Sequence, residues 1–160
     1  QYYDCFSAAH EVLANFDTEF PHWKGRGFEI AGFAWWQGHK DQGSEVHAGR
    51  YEQNLVQLIK TLRREFNAPD APFVIATIGF DGWKMSGNAL TVAKAQLAVS
   101  GETGKYPDFK GNVKTVETRD FWRDASVSPK NQGFHYNQNA ETYLLVGEAL
   151  GKGMLQLVSE

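Results

Sequence analysis

The sequence has one cysteine, Cys5, among its 160 residues. That excludes an internal disulfide and any zinc site built on several thiolates. Long apolar runs are also missing. The longest, Ile30 to Trp36 and Pro72 to Gly79, fall far short of the roughly 20 residues that a helix needs to cross a bilayer, so no membrane partner is expected. Positive charge is not in excess either. Its 16 Lys and Arg stand against 19 Asp and Glu, for a formal net charge of −3. No dense basic stripe is interleaved with aromatic residues, and nucleic acid is not an expected partner. The chain opens on Gln1 without an initiator methionine and without a charged start leading into an apolar run. No signal peptide is read, and the expectation is that anything upstream was removed or never included.

What is present describes an ordinary globular chain, with 42% hydrophobic, 14% aromatic and 22% charged residues. The length suits a single domain over 1–160. Phe6, Ala9, Val12, Leu13 and Phe16 recur at helical spacing and predict a helix over Cys5 to Phe16. Phe28 to Trp36 reads as a strand apolar on both faces, which suits the middle of a parallel sheet covered on both sides. Gln37 to His47 reads as a polar loop. Tyr51, Leu55, Leu58, Ile59, Leu62 and Phe66 predict a helix from about Arg50 to Phe66, with Lys60, Arg63 and Arg64 towards its C-terminal end. Phe73 to Gly79 is a second buried strand. Ala89 to Val99 supports a shorter helix with Leu90, Ala93 and Leu97 on one face. Val113 to Thr118 alternates with period two as a third strand. A polar stretch from Arg119 to Asn139 is long enough to call for a functional reason. A last helix, Ala140 to Leu157, points Tyr143, Val146, Leu150, Met154 and Leu157 inward behind an Asn139 cap. Alternating helices and strands predict an α/β fold with a parallel sheet, whose ligands sit beyond the carboxyl ends of the strands.

Two segments at that edge carry candidate chemistry. His135, in a loop just ahead of the last helix, has the residue type and place of a general base; the alternative is a loop histidine with a structural hydrogen bond. Gln37 and Gly38, directly after the first strand, offer a side-chain amide and a flexible neighbour for a developing oxyanion, or else a turn that closes the strand. Asp41 and Glu45 are carboxylates able to orient a histidine, or merely solvated. His39, Asp41, Glu45 and His47 match no compact zinc spacing, so no metal and no cofactor are expected. Gly101-Glu102-Thr103-Gly104-Lys105 lacks the glycine spacing and the Ser/Thr of a phosphate loop.

Taken together, Ile30 to Asp41 (Ile-Ala-Gly-Phe-Ala-Trp-Trp-Gln-Gly-His-Lys-Asp), Tyr51 to Leu55, and His135 to Tyr143 (His-Tyr-Asn-Gln-Asn-Ala-Glu-Thr-Tyr) resemble the sialate O-acetylesterase-like carbohydrate esterases of the SGNH hydrolase superfamily. The resemblance implies a three-layer α/β/α sandwich around a parallel sheet. It also implies an O-acetylated carbohydrate substrate, serine and histidine catalysis, and secretion or a periplasmic location. On that resemblance His135 is the base, and Gln37 and Gly38 belong to the oxyanion block with His39 beside them. Three departures stand out. The family's Gly-Gln-Ser-Asn nucleophile block is absent, so an N-terminal strand is expected to be missing; Ser86 in Met-Ser-Gly-Asn falls after the second strand and is read as structural. His39 stands where many members have glutamate, with Asp41 kept two residues on. The aspartate usual three residues before the histidine is Gln132, which leaves Asp41 as first candidate for the acid and Asp124 as second. The competing reading is a non-catalytic carbohydrate-binding or structural remnant, with Trp35, Trp36 or Trp83 offering faces to sugar rings. A sheet short of its first strand also exposes an edge that promotes a homo-oligomer.

Overall fold

The computed structural model describes residues 2–159. Two helices open the chain, α1 (Tyr2–Ala14) and α2 (Phe16–Glu19), followed by β1 (Phe33–Trp35), α3 (Glu45–Glu65), β2 (Phe73–Ala76), α4 (Gly87–Val99), β3 (Val113–Val116) and α5 (Ala140–Val158). The strands form one parallel sheet in the order β1-β2-β3, with Phe33 opposite Phe73 and Phe73 opposite Val113. This is the expected α/β/α sandwich.

Alternation along the strands decides which helix covers which face. Phe73, Ile75 and Val113 join the core cluster with Tyr51, Leu55 and Ile59 of α3 and Val92 and Val99 of α4. Val74 and Val116 point the other way, against Gly153 of α5. The two crossovers β1 to β2 and β2 to β3 therefore place α3 and α4 on one face, as right-handed connections require, and α5 closes the other. At the amino ends of the strands the buried Arg63 fastens the layers. Its guanidinium donates to the Ala71 carbonyl at 2.7 and 2.9 Å and to the carbonyl and side-chain oxygen of Asn112 at 3.0 and 2.9 Å.

Three expectations need correction. β1 spans only Phe33–Trp35, half-buried with Ala34 exposed, and lies at the sheet edge rather than its middle. Its apolar composition reflects two different contacts: Trp35 meets Tyr51 of α3 and Phe33 meets Phe66 just after that helix, while Gly32 sits against Met154 of α5. The stretch before it, including Phe28, is largely exposed. α3 begins at Glu45, ahead of the expected Arg50, because Ser44 caps it by accepting from the His47 amide at 3.5 Å. α4 buries Val92, Ala93, Ala95, Gln96 and Val99, leaving Leu90 and Leu97 half-buried; its inward face is turned so that a glutamine enters the core.

α5 starts where expected, with the Asn139 side chain accepting from the Thr142 amide at 3.2 Å. Val146 is buried, but Tyr143 is exposed and Leu144 and Leu155 are 73% and 64% exposed. Gly147 and Gly151 share this open side with nothing near their Cβ positions, whereas a Cβ on Gly153 would lie 3.0 Å from methyls of both Val74 and Val116. The three glycines of one helix thus have opposite physical roles. Gly151→Ala should stabilise the chain by about 1 kcal/mol, since alanine restricts the unfolded backbone and meets no neighbour. Gly153→Ala should destabilise it by about 1–2 kcal/mol, because β-branched valines cannot rotate out of the way. Urea unfolding of both variants checks the pair, and equal signs would refute this packing account.

Candidate active site

The carboxyl ends of β1 and β2 and the loop before α5 meet around a cleft of about 330 Å³. β1 runs out into Trp36, Gln37, Gly38 and His39, and β2 into Ile78 and Phe80; Phe134 and Tyr136 close the cleft from the loop. A second cleft of about 250 Å³ shares His39, Phe80 and Phe134 and continues to Asp81, Ser86 and Trp122. A larger groove of about 650 Å³ lies at the amino end of β3, among Gly101, Lys110 and Lys114. It holds none of the candidate residues, and in a parallel sheet chemistry belongs to the carboxyl edge.

One buried side chain holds the β1 and β2 ends together. Gln96, 0% exposed, accepts from the Ile78 amide at 2.8 Å and donates to the Gln37 carbonyl at 2.8 Å and the Tyr51 hydroxyl at 3.2 Å. Tyr51 in turn donates to the Gln37 carbonyl at 2.6 Å and accepts from the Trp35 indole at 3.3 Å. Burial raises the Tyr51 pKa, against the lowering effect of the donors Trp35 and Gln96. The hydroxyl therefore stays protonated and able to donate.

Gly38 sits inside this clamp with φ 152°, and a Cβ there would lie 2.9 Å from both Ile78 Cγ2 and Val92 Cγ1. The Gln37 side chain donates to Asp41 Oδ2 at 2.8 Å. One of its amide hydrogens is thereby committed, and the other remains for a ligand. Asp41 is thus the partner of Gln37. Asp124 accepts from the Trp122 indole at 2.8 Å. Among the described residues neither carboxylate is bonded to His135.

The loop holding His135 is wound tightly. Tyr136, Asn137 and Gln138 all have left-handed φ, 49°, 54° and 54°, a conformation that costs non-glycine residues on the order of 1–3 kcal/mol each. Compensation comes from buried contacts. The Asn137 side chain donates to the Arg123 carbonyl and accepts from the Gln132 amide, both at 2.9 Å. Tyr136 accepts from the Gly79 amide at 3.2 Å, and its ring stacks on Phe80 at 4.6 Å and meets Trp36 at 4.8 Å. Burial pushes the Tyr136 hydroxyl up to about 12, against the pull of the Gly79 amide and of the Trp36 indole, which faces the same oxygen without reaching hydrogen-bond geometry. The backbone of His135 is fixed at both ends: its amide donates to the Gln132 carbonyl at 2.9 Å and its carbonyl accepts from the Tyr143 hydroxyl at 3.0 Å. Its ring is exposed and lies 4.4 Å from Phe134, which also meets His39 at 5.8 Å.

The fold therefore brings Gln37, Gly38 and His39 to one cleft, while His135 lines neither cleft and stands outside the first, against Phe134. Asp41 stands behind Gln37, and Ser86 is exposed at the start of α4, lining the second cleft. Gln96 and Tyr136 were not anticipated. A glutamine in a locally apolar stretch of α4, Ala95-Gln96-Leu97-Ala98, was the available signal for the first. His39, Asp41, Glu45 and His47 do not assemble a metal-binding group, and none is found among the described residues. No helix of the described residues is long and apolar enough to cross a membrane.

The family model described as "Carbohydrate esterase, sialic acid-specific acetylesterase" matches residues 6–156. Among solved structures, a protein from Arabidopsis thaliana is similar at 26% identity with a TM-score of 0.60, over 92% of this chain and 51% of that one. The chain thus spans about half the length of that relative. No curated protein matches it.

Two outcomes follow from the geometry. Gly38→Ala should destabilise the chain by about 2–4 kcal/mol, through the Cβ overlap and the unusual φ, as read by thermal unfolding. Tyr136, neutral in the fold up to about pH 12 and ionising near 10 when unfolded, should make stability fall as pH rises from about 10 towards 12. Tyr136→Phe should flatten that fall in unfolding curves taken across the window.

Proposed function

The chain belongs to the carbohydrate esterase family of sialic acid-specific acetylesterases, and from that premise we propose that it is the histidine-bearing portion of an O-acetyl ester hydrolase acting on acetylated sugars. The observation that carries the reading is the gathering of Gln37, Gly38, His39 and Phe134, with His135 beside Phe134, at the carboxyl edge of a parallel sheet. His135 is assigned as general base. It takes the proton of a serine as that oxygen attacks the ester carbonyl, and returns it to the departing sugar hydroxyl. The free amide hydrogen of Gln37 and the Gly38 backbone N–H are assigned to the oxyanion, in the place where negative charge develops. Asp41 then has an indirect role: it fixes the Gln37 amide, and no described carboxylate supports the imidazolium.

The serine is assigned to a segment upstream of Gln1. The outer edge of β1 has no partner strand among the described residues, and a parallel strand added there would end beside Trp36 and Gln37. The domain over 1–160 is on this reading incomplete at its N-terminus. The lack of a carboxylate at His135 favours a second reading, a non-catalytic carbohydrate-binding remnant with the same aromatic cleft.

A fluorophosphonate probe followed by intact-mass measurement separates the two. The 160-residue chain should take up no phosphonate. The same chain extended upstream to a Gly-Gln-Ser-Asn block should take up one, and His135→Ala should slow that labelling by about a hundredfold or more. Labelling of Ser86 in the 160-residue chain would relocate the nucleophile. An extended protein that labels equally fast with and without His135 would sink the assignment of the base.

A further inference from the structure

Trp83 is 62% exposed, yet its ring is held by a cation on one face and a hydrogen bond at its edge. A run of interactions leads to it from the sheet. Thr77, buried at the end of β2, donates to Glu117 Oε1 at 3.0 Å. That carboxylate accepts the Arg119 amide at 3.0 Å, Nε at 2.9 Å and Nη2 at 2.6 Å. Burial alone would raise the Glu117 pKa, but the Arg119 hydrogen bonds outweigh it and the net direction is down, so the pair is ionic. The guanidinium so fixed lies 4.1 Å from the centre of the Trp83 ring. The indole N–H is bonded to Asp120 Oδ1.

The backbone beneath the ring is equally constrained. Asp81 and Gly82 have φ 58° and 55°, and Gly82 is buried where a Cβ would meet the Arg119 carbonyl at 3.2 Å. The Gly82 amide donates to the Gly79 carbonyl at 3.0 Å, and the Lys84 amide to the Asp81 carbonyl at 3.0 Å. This turn is a wall of the second cleft, through Asp81 on one side of Trp83 and Met85 on the other.

A large apolar ring in water normally sacrifices buried area and keeps its rotational freedom. Here one face is covered by a cation, the polar edge is satisfied, and a broad surface is left exposed in a single orientation. Such a surface suits a flat, partly apolar ligand that is well hydrated elsewhere. A pyranose with equatorial substituents has that character: one face presents axial C–H bonds to the electron-rich ring, while its hydroxyls stay in solvent. We propose that Trp83 is a stacking platform for a pyranose ring of a neutral β-linked oligosaccharide, one sugar away from the ring that occupies the clefts. The position of the ester relative to this platform rests on the esterase reading; the stacking itself does not.

Titration calorimetry tests it, using xylohexaose, cellohexaose and chitohexaose with the chain as it stands. At least one should bind in the millimolar range or tighter, Trp83→Ala should weaken that binding about tenfold, and Trp83→Phe should retain most of it. Trp83→Ala removes an exposed ring, and a circular dichroism melt confirms that it folds. Arg119→Met leaves the ring in place but frees it, and should weaken binding by a smaller factor. The proposal is overturned if none of the three hexasaccharides binds, or if Trp83→Ala binds as the unaltered chain does. Trp83-dependent binding, combined with no phosphonate labelling of the extended protein, would sink the esterase reading and leave the platform standing.

Discussion

The Gln96 side chain is the interaction on which the candidate site depends. It is a polar group in a core of Val92, Val99 and Ile59, and burial of an amide there is costly unless each of its polar atoms finds a partner. All of them do: the oxygen accepts the Ile78 amide, and the nitrogen reaches the Gln37 carbonyl and Tyr51. Two of those partners, the Ile78 amide and the Gln37 carbonyl, are main-chain groups just beyond β2 and β1, where the ladder hydrogen bonds have run out. The glutamine replaces the missing rungs and keeps the two strand ends at a fixed separation. Gly38 can then approach Ile78 and Val92 closely, and Gln37 can turn its side chain towards Asp41. An apolar residue at position 96 would orphan the buried Ile78 amide and take one of two partners from the Gln37 carbonyl, which would keep only Tyr51.

The same economy appears on the other wall. Three successive left-handed residues after His135 would not persist alone, and each has a compensating contact in or near the cleft: Tyr136 with Gly79, Asn137 with Arg123 and Gln132, and Gln138 with the Gln132 side chain at 2.9 Å. Strain of this kind is stable only where the surroundings over-determine the backbone. Here it presents His135 at the cleft margin with its backbone fixed and its ring exposed.

Periodicity made α3 and α5 legible, because long amphipathic runs and caps such as Asn139 are local signals. β2 was legible for a related reason: a central strand buried on both faces reads as a continuous apolar run. β1 misled on the same criterion. Its apolar residues are divided between α3 and α5, so an edge strand bears the composition of a central one. The turned inner face of α4 escaped because small apolar residues surround the helix, and only tertiary hydrogen bonds choose Gln96 over Leu97. Gln37, Gly38 and His39 were legible as residues following a strand, but the pairing of Asp41 with Gln37 rather than with a histidine is a rotamer choice that no spacing encodes. The left-handed run at Tyr136 to Gln138 contains no glycine to announce it.

The position of β1 has a further consequence for the cleft. Its walls come from the carboxyl ends of β1 and β2 and from the His135 loop, and on the outer side of β1 no described strand pairs with it. Adjacent strands of a sheet lie about 4.8 Å apart. A strand paired to that edge in the parallel sense would deliver its last residue about one such spacing from Trp36 and Gln37. A side chain there is within reach of the donors assigned to the oxyanion. Leu144, Gly147, Gly151 and Leu155 leave an apolar, small-residue stripe on α5, and Met154 and Tyr143 of the same helix meet Gly32 and Trp36 just before and after β1. The helix that carries the stripe is thus the one packed beside β1.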